Sequence, residues 1–194
     1  MSKFFLKISL LGDGAVGKTS LRERFMGRGF RKEHMMTIGA DFAAYDRVMS
    51  STGGEQYQTT FQIWDMAGQD TFQSVRSRFF KGSMGALCVF DVTRRDSFLH
   101  MTQWIEELWR NNGRGVIPIT ILGNKADIRD RNSVSAQEAQ RYADAISANT
   151  HAKGFNVVYM DTSAKEGLNV ENSFDTLGLT IIDMLKSGSM RMGG

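Results

Sequence analysis

Residues 12–19 have the sequence Gly-Asp-Gly-Ala-Val-Gly-Lys-Thr, and this segment constrains the fold more than any other. It fits the pattern G-x-x-x-x-G-K-[ST] between an apolar, β-type run at 4–11 and a helical pattern at 18–26. There the glycines let the backbone curl until successive N–H groups face a phosphate, and the following helix adds its positive end. The segment predicts a nucleoside triphosphate site, whereas a glycine-rich surface turn is the alternative.

The rest of the chain alternates between short β-type runs and helical patterns. The predicted strands are 4–11, 41–49, 57–64, 86–92, 117–123 and 156–160, and the predicted helices are 18–26, 72–80, 96–111, 136–149 and 171–186. Residues 51–54, Ser-Thr-Gly-Gly, predict a hairpin turn between the second and third strands. We therefore expect an α/β fold with a six-stranded, mostly parallel sheet, one antiparallel edge strand and helices on both faces. Ligands of such folds bind at loops beyond the carboxyl ends of the strands.

The phosphate loop and the start of its helix supply the first candidate residues. Lys18 is expected to reach the β- and γ-phosphates, and the Thr19 hydroxyl to bind Mg²⁺, which keeps several waters and takes few protein ligands. The full set expected to contact nucleotide here is Asp13, Gly14, Ala15, Val16, Gly17, Lys18, Thr19 and Ser20.

A second candidate segment, residues 65–69, follows the predicted strand 57–64. Asp65 is placed to hold Mg²⁺ as a strand-end carboxylate does in phosphate-loop enzymes. Gly68 can offer its N–H to the γ-phosphate, and Gln69 can orient the attacking water. An ordinary strand-end turn is the alternative, since Asp and Gly are common in turns.

Two further segments predict guanine recognition. Asn124-Lys125-Ala126-Asp127 follows the strand at 117–123, and one carboxylate, Asp127, can accept from both N1–H and the N2 amino group of guanine. Adenine would leave that buried acid unpaired, at considerable cost. The Lys125 stem can lie along the base. Ser163, Ala164 and Lys165 follow the last strand and can supply an N–H to guanine O6.

Composition excludes few classes. The 24 Lys and Arg against 21 Asp and Glu give a charge of +3, too small and too scattered to indicate nucleic-acid binding. The single cysteine, Cys88, lies in an apolar run and is expected to be a buried hydrophobe. No apolar run approaches the ~20 residues that span a bilayer.

From about residue 4 to 186 the chain resembles the Ras superfamily of small GTPases, and the Rab branch most closely. Besides the nucleotide segments, the resemblance rests on Ile38-Gly39-Ala40-Asp41-Phe42, Phe61-Gln62-Ile63-Trp64-Asp65, Phe79-Phe80-Lys81-Gly82 and Phe90-Asp91-Val92-Thr93. It implies a phosphate-loop small G domain at 1–186 with a short flexible tail at 187–194. It also implies that Thr37 binds Mg²⁺ and the γ-phosphate, that Phe30 packs against guanine, and that Lys18, Thr37 and Gln69 serve hydrolysis.

The resemblance further implies a monomeric GTP/GDP switch. An activating protein, an exchange factor and effectors would contact switch I around Thr37 and switch II from Gly68 to about Phe80. Intrinsic hydrolysis is expected to be slow, because no arginine is evident near the γ-phosphate. Small GTPases of this kind turn over at about 10⁻⁴ s⁻¹ alone and gain roughly 10⁵-fold from an activator's arginine.

Departures from the family pattern leave alternatives open. His34, Met66 and Asp70 replace the usual Tyr, Thr and Glu. Gln69 and Gly14 argue against a nucleotide-locked interaction module that hardly turns over, whereas His34 and Met66 leave that alternative open. A phosphate-loop kinase or ATPase lacks support, because Asp127 selects guanine. No tail cysteine is available for prenylation. We therefore expect a cytoplasmic protein that reaches membranes only through partners.

Overall fold

The structure, a computed structural model, describes residues 2–29, 37, 39–68 and 73–191, with the side chains of 73–75 outside that description. The strands are β1 Ser2–Leu11, β2 Ala40–Ser50, β3 Gln56–Met66, β4 Gly85–Asp91, β5 Ile119–Asn124 and β6 Val158–Asp161. The helices are α1 Lys18–Phe25, α2 Gln73–Phe80, α3 Arg95–Leu99, α4 Met101–Asn111, α5 Ala136–Thr150 and α6 Val170–Lys186.

The six strands form one sheet in the order β2-β3-β1-β4-β5-β6. Only the β2–β3 pair is antiparallel, and its turn is closed by hydrogen bonds from Ser51 N to Glu55 O and from Gly54 N to Ser51 O. The remaining pairs are parallel. The predicted mostly parallel sheet with an antiparallel edge strand is confirmed. The carboxyl ends of β1, β3, β4, β5 and β6 consequently lie along one edge.

Apolar side chains fill both faces of the sheet. One core cluster joins the sheet to α3, α4 and α5, and the other joins it to α1 and α6. Phe25 of α1 stacks on Phe174 of α6 with ring centroids 3.8 Å apart, which fixes the helix that follows the phosphate loop. Phe80 is fully buried, and so is Cys88, as expected for that cysteine; burial raises the pKa of the Cys88 thiol to about 12.

The single helix predicted at 96–111 is two helices that meet at His100, where ψ is −8°. The His100 ring contacts the phosphate loop. Among the described residues, no helix is both long enough and apolar enough to cross a membrane.

Charged side chains fasten the edge strand β2 to α6. The guanidinium of Arg47 donates from Nε and Nη2 to the two carboxylate oxygens of Asp175, at 2.6 and 2.7 Å, and from Nη2 to Glu171 at 2.9 Å. At the far end of the hairpin, Lys186 of α6 lies 2.7 Å from Glu55. We call these contacts the hairpin clamp.

Candidate nucleotide-binding site

The phosphate loop curls through left-handed backbone positions. Gly12 has φ 131° and Gly17 has φ 102°. A Cβ on Gly12 would lie 2.0 Å from Val89 O, and one on Gly17 would lie 2.2 Å from Asn124 Nδ2, so neither position has room for a side chain. Ala15 also has a positive φ, 62°, which strains a non-glycine residue. These positions shape the concave turn that the sequence predicts.

Lys18 closes the loop from within. Its side chain is buried, and Nζ donates to the carbonyls of Gly12 at 2.7 Å and Asp13 at 2.8 Å. Burial lowers the pKa of Lys18 to about 8, although the carboxylates of Asp65 and Asp13 oppose the shift. A phosphate in the loop would stabilise the charged form and raise this pKa again.

Thr19, Thr37 and Asp65 converge beside Lys18. The Thr19 hydroxyl donates to Asp65 Oδ2 and lies 3.1 Å from the Thr37 hydroxyl. Asp65 is fully buried, burial raises its pKa, and its Oδ1 has no hydrogen-bond partner among the described residues. An unpaired buried carboxylate oxygen is costly unless something binds it.

This donor set fits Mg²⁺. All three groups are hard oxygen donors, and Mg²⁺ usually takes few of them from protein and completes its shell with water and phosphate. No cluster of three or more His, Cys, Asp or Glu suited to a metal occurs in the described part of the chain. The oxygens of Thr19, Thr37 and Asp65 would leave room in a Mg²⁺ shell for water and phosphate ligands.

The loop after β3 contacts the phosphate loop backbone to backbone. Gly14 N donates to Gly68 O at 3.1 Å. A Cβ on Gly68 would lie 2.3 Å from Asp13 C and Gly14 N. A glycine at 68 is therefore required for the two loops to approach this closely.

A cavity lies at the N-terminal end of α1, between the loops after β5 and β6. It is lined by Gly17, Ser20, Asn124, Lys125, Asp127, Ile128, Ala164 and Lys165. Asn124 ties three segments together. Its Nδ2 donates to Val16 O at 2.8 Å, and its Oδ1 accepts from Ala164 N at 3.2 Å and from the Thr162 hydroxyl at 3.3 Å.

Ser163 and Asp91 contact two of the three charged residues that line the cavity, Asp127 and Lys125. The Ser163 hydroxyl donates to Asp127 Oδ1 at 2.6 Å, while Lys165 Nζ lies 3.9 Å from Asp127 Oδ2. Lys125, at φ 63°, places Nζ 2.6 Å from Asp91 Oδ2. Burial acts to raise the pKa of Asp91, but hydrogen bonds from Lys125 and Thr93 outweigh it and hold that pKa below its usual value.

Some candidate residues have side chains that point away from the phosphate loop, and others lie outside the described residues. The Asp13 carboxylate turns away from the loop, accepting from Trp104 Nε1 at 2.8 Å with His100 Nδ1 also 2.8 Å away. The Val16 side chain is in the core. Phe30 and Gln69 lie outside the described residues, as do His34 and Asp70.

Sequence reasoning missed several residues around the site. No site role was predicted for Asp91, which contributed only to the family resemblance. None was predicted for Arg94 either, which donates from Nη2 to Gly14 O at 2.9 Å. On α2, Arg76 forms a buried ion pair with Glu107 at 3.1 Å and lies over the Trp104 ring at 4.3 Å. Their position in the sequence could have indicated a role in the site, since Asp91 and Arg94 lie at and after the end of a parallel strand, at the edge of the sheet that carries the other loops.

Three aromatic side chains line up beside the site, on β2, β3 and α2. Trp64 lies 5.1 Å from the ring of Phe42 and 5.5 Å from that of Phe79. Phe42 is 48% exposed. We call Phe42, Trp64 and Phe79 the aromatic strip. Met66, by contrast, is fully buried in the core.

Comparison with known proteins places this arrangement in a family. The sequence profile of the Ras family matches residues 7–183. The Ras-related protein RABA4b of Arabidopsis thaliana is 34% identical over 191 residues, which cover 98% of this chain and 79% of the plant protein.

The loop geometry predicts opposite outcomes for two glycine substitutions. Gly17→Ala places a methyl group at φ 102°, 2.2 Å from Asn124 Nδ2, so it should lose about 1–3 kcal/mol of unfolding free energy from backbone strain and most nucleotide affinity. Gly14→Ala, whose nearest neighbour would be Gly68 O at 3.9 Å, should retain both. Urea unfolding and nucleotide titration measure these effects. Equal losses in the two variants would contradict the geometry.

Proposed function

The chain belongs to the Ras family of small GTPases, on its Rab branch, and from that premise we propose that the segments described above form one site that binds GTP with Mg²⁺ and hydrolyses it. Members of this family hydrolyse GTP. The proposal for this chain concerns which of its residues bind, orient and react, with residues 1–186 as the nucleotide-binding domain and 187–194 as a tail.

The observation that carries the proposal is the convergence of Thr19, Thr37 and Asp65 next to Lys18. The three groups come from different parts of the chain, since Thr19 lies on α1, Thr37 lies before β2 and Asp65 lies at the end of β3. Asp65 Oδ1 is left buried and without a partner among the described residues. Such an arrangement is costly without a ligand and becomes favourable with a metal–phosphate complex. We assign Thr19, Thr37 and Asp65 as the residues that would hold Mg²⁺, which would supply positive charge to neutralise the charge that develops on the phosphates.

Guanine recognition is assigned to the cavity between the loops after β5 and β6. Asp127, held by Ser163, accepts from guanine N1–H and the N2 amino group. Lys125, anchored on Asp91, is proposed to run its stem along the base. The Ala164 N–H, which donates to Asn124 Oδ1 in this structure, is proposed to donate to guanine O6 when the base binds. Phe30 is proposed to close the guanine edge.

Hydrolysis follows from charge placement and water orientation. Backbone N–H groups of 13–20 bind the phosphates, Lys18 moves its charge from the Gly12 and Asp13 carbonyls to the β- and γ-oxygens, and Thr37 and Gly68 donate N–H groups to the γ-phosphate. Gln69 orients the attacking water. Loss of the γ-phosphate removes the ligand that holds the loops of Thr37 and Gly68, which makes the reaction a switch.

State-dependent partner binding is proposed for the aromatic strip. Phe42 and Trp64 lie on the strands that connect the loops of Thr37 and Gly68, and Phe79 lies on α2 after them. Phe42 is the member of the strip whose exposure is highest among those described, at 48%, so a bound protein could cover its ring. We propose that the chain, as a cytoplasmic monomer, regulates trafficking or signalling through effectors, an exchange factor and an activating protein, and that such partners bring it to membranes.

Base choice gives the first test of the site. Asp127→Asn should weaken GTP binding about 10- to 100-fold, because the amide cannot accept from both guanine donors, and should favour xanthosine triphosphate, whose extra carbonyl accepts from the amide. Competition of labelled GTP with GTP, ATP and xanthosine triphosphate measures this. Wild-type label displaced equally by ATP would exclude guanine recognition.

Binding and turnover should separate in two variants. Gln69→Leu keeps volume but cannot orient water, so single-turnover hydrolysis should slow about tenfold or more with GTP affinity nearly unchanged. Lys18→Ala should instead lose affinity about 10- to 100-fold, because it removes a charge paired with phosphate in the ground state. Wild-type hydrolysis by Gln69→Leu would remove Gln69 from the mechanism.

The aromatic strip can be tested with a matched control. Phe42→Ala should lower the affinity of partners selective for the GTP-bound form by about tenfold or more, without changing hydrolysis. Phe5→Ala is the control, because Phe5 is 49% exposed at the start of β1, away from the strip. The test measures the affinities of captured partners for wild type, Phe42→Ala and Phe5→Ala. Equal affinity of Phe42→Ala and Phe5→Ala would show that partners bind elsewhere.

A further inference from the structure

Arg94 lies directly after β4, at the edge of the sheet that carries the nucleotide loops. Its backbone is fixed by hydrogen bonds from Arg94 N to Asp91 O at 2.9 Å and from the Ser97 hydroxyl to Arg94 O at 2.6 Å. The side chain crosses to the phosphate loop, where Nη2 donates to Gly14 O at 2.9 Å in an exposed contact. An arginine therefore lies on the rim of the phosphate loop.

Gly14 lies in the part of that loop where the γ-phosphate is expected. Its N–H bonds to Gly68 O, and Gly68 approaches so closely that a Cβ would overlap Asp13 and Gly14. Gly68 is the residue proposed to donate to the γ-phosphate. A guanidinium on the carbonyl of Gly14 consequently lies on the side of the loop where the γ-phosphate is expected.

The guanidinium also has donors to spare. Arginine has five N–H donors and is always charged, and among the described residues Arg94 uses one for a side-chain hydrogen bond, to Gly14. Neighbouring arginines form ion pairs with carboxylates outside the phosphate loop. Arg76 is buried against Glu107, Arg22 pairs with Asp41 at 2.7 Å, and Arg95 pairs with Glu138 at 2.5 Å.

We propose that Arg94 is an arginine supplied in cis that binds the γ-phosphate oxygens and stabilises the charge of the transition state. This rests on the proposed nucleotide site. In the reaction the water oxygen forms a bond to the γ-phosphorus, and the bond to the β–γ bridging oxygen breaks with its electron pair going to GDP. The water protons end on phosphate and in solvent. Arg94 transfers no proton; its charge acts on the oxygens as the bridging bond breaks.

The proposal changes one expectation from the sequence. Slow intrinsic hydrolysis was expected because no arginine was evident near the γ-phosphate, yet Arg94 provides one from within the chain. Arginines in this role in cis raise hydrolysis well above that of relatives without one. Hydrolysis by this protein should thus depend less on an arginine from an activating protein.

Single-turnover hydrolysis of wild type, Arg94→Ala, Arg94→Lys and Arg95→Ala tests the proposal. Arg94→Ala should slow hydrolysis of bound GTP roughly 10- to 100-fold, with GTP and GDP affinities changed little. Arg94→Lys should recover only part of the rate, because a point charge replaces a planar fork. Arg95→Ala should match wild type, since Arg95 pairs with Glu138 on α5. Thermal unfolding of each variant checks that it is folded.

A second measurement separates chemistry from loop support. GDP-bound wild type should capture a planar aluminium fluoride without any partner, and Arg94→Ala should not. Hydrolysis by Arg94→Ala equal to that of Arg95→Ala would overturn the proposal. So would equal weakening of GTP and GDP with an unchanged rate from the bound state, which would make Arg94 only a loop support. Failure of wild type itself to bind GTP would instead overturn the nucleotide site, and Lys18→Ala gives the signature of that loss.

Discussion

The site depends on segments of the chain that approach one another so closely that three positions have no room for a side chain. At Gly12, Gly17 and Gly68 an added Cβ would lie 2.0 to 2.3 Å from a neighbouring atom, so the phosphate loop touches the ends of β4, β5 and β3 directly. Lys18 then becomes buried among carbonyls, and Thr19 comes within hydrogen-bonding distance of Asp65. The burial of Lys18 and Asp65 follows from this close approach, and the low local dielectric shifts the pKa values of both groups.

Much of this could be predicted from the sequence, because the determining signals are local. Residues 12–19 have a strand–loop–helix context, and an acid and an amide, Asp65 and Asn124, stand at the carboxyl ends of β3 and β5. The rule that parallel strands end at one edge was enough to predict that these residues lie together. Element bounds were less predictable. The helix expected at 96–111 breaks at His100, where the ring contacts Asp13 across 87 positions, and no local pattern encodes such a contact.

What the sequence could not show are side-chain contacts between elements distant along the chain. Asp13 was expected to contact nucleotide, yet its carboxylate faces Trp104 and His100, so it joins the phosphate loop to the helices behind it. Trp104 in turn lies under Arg76 of α2, whose guanidinium pairs with Glu107. Arg94 belongs to the same class, because its importance comes from reaching Gly14 rather than from any motif. Such contacts depend on the distance and angle between packed helices, which periodicity does not specify.

The hairpin clamp has a mechanical consequence. Sliding β2 along its neighbour by one side-chain period, two residues, would carry Arg47 about 7 Å from Asp175 and Glu171, beyond the reach of its hydrogen bonds. The salt bridge between Lys186 and Glu55 opposes the same displacement at the far end of the hairpin. The hairpin clamp therefore opposes a sliding of the β2–β3 hairpin along α6, through Arg47 on β2 and through Lys186 at the end of α6.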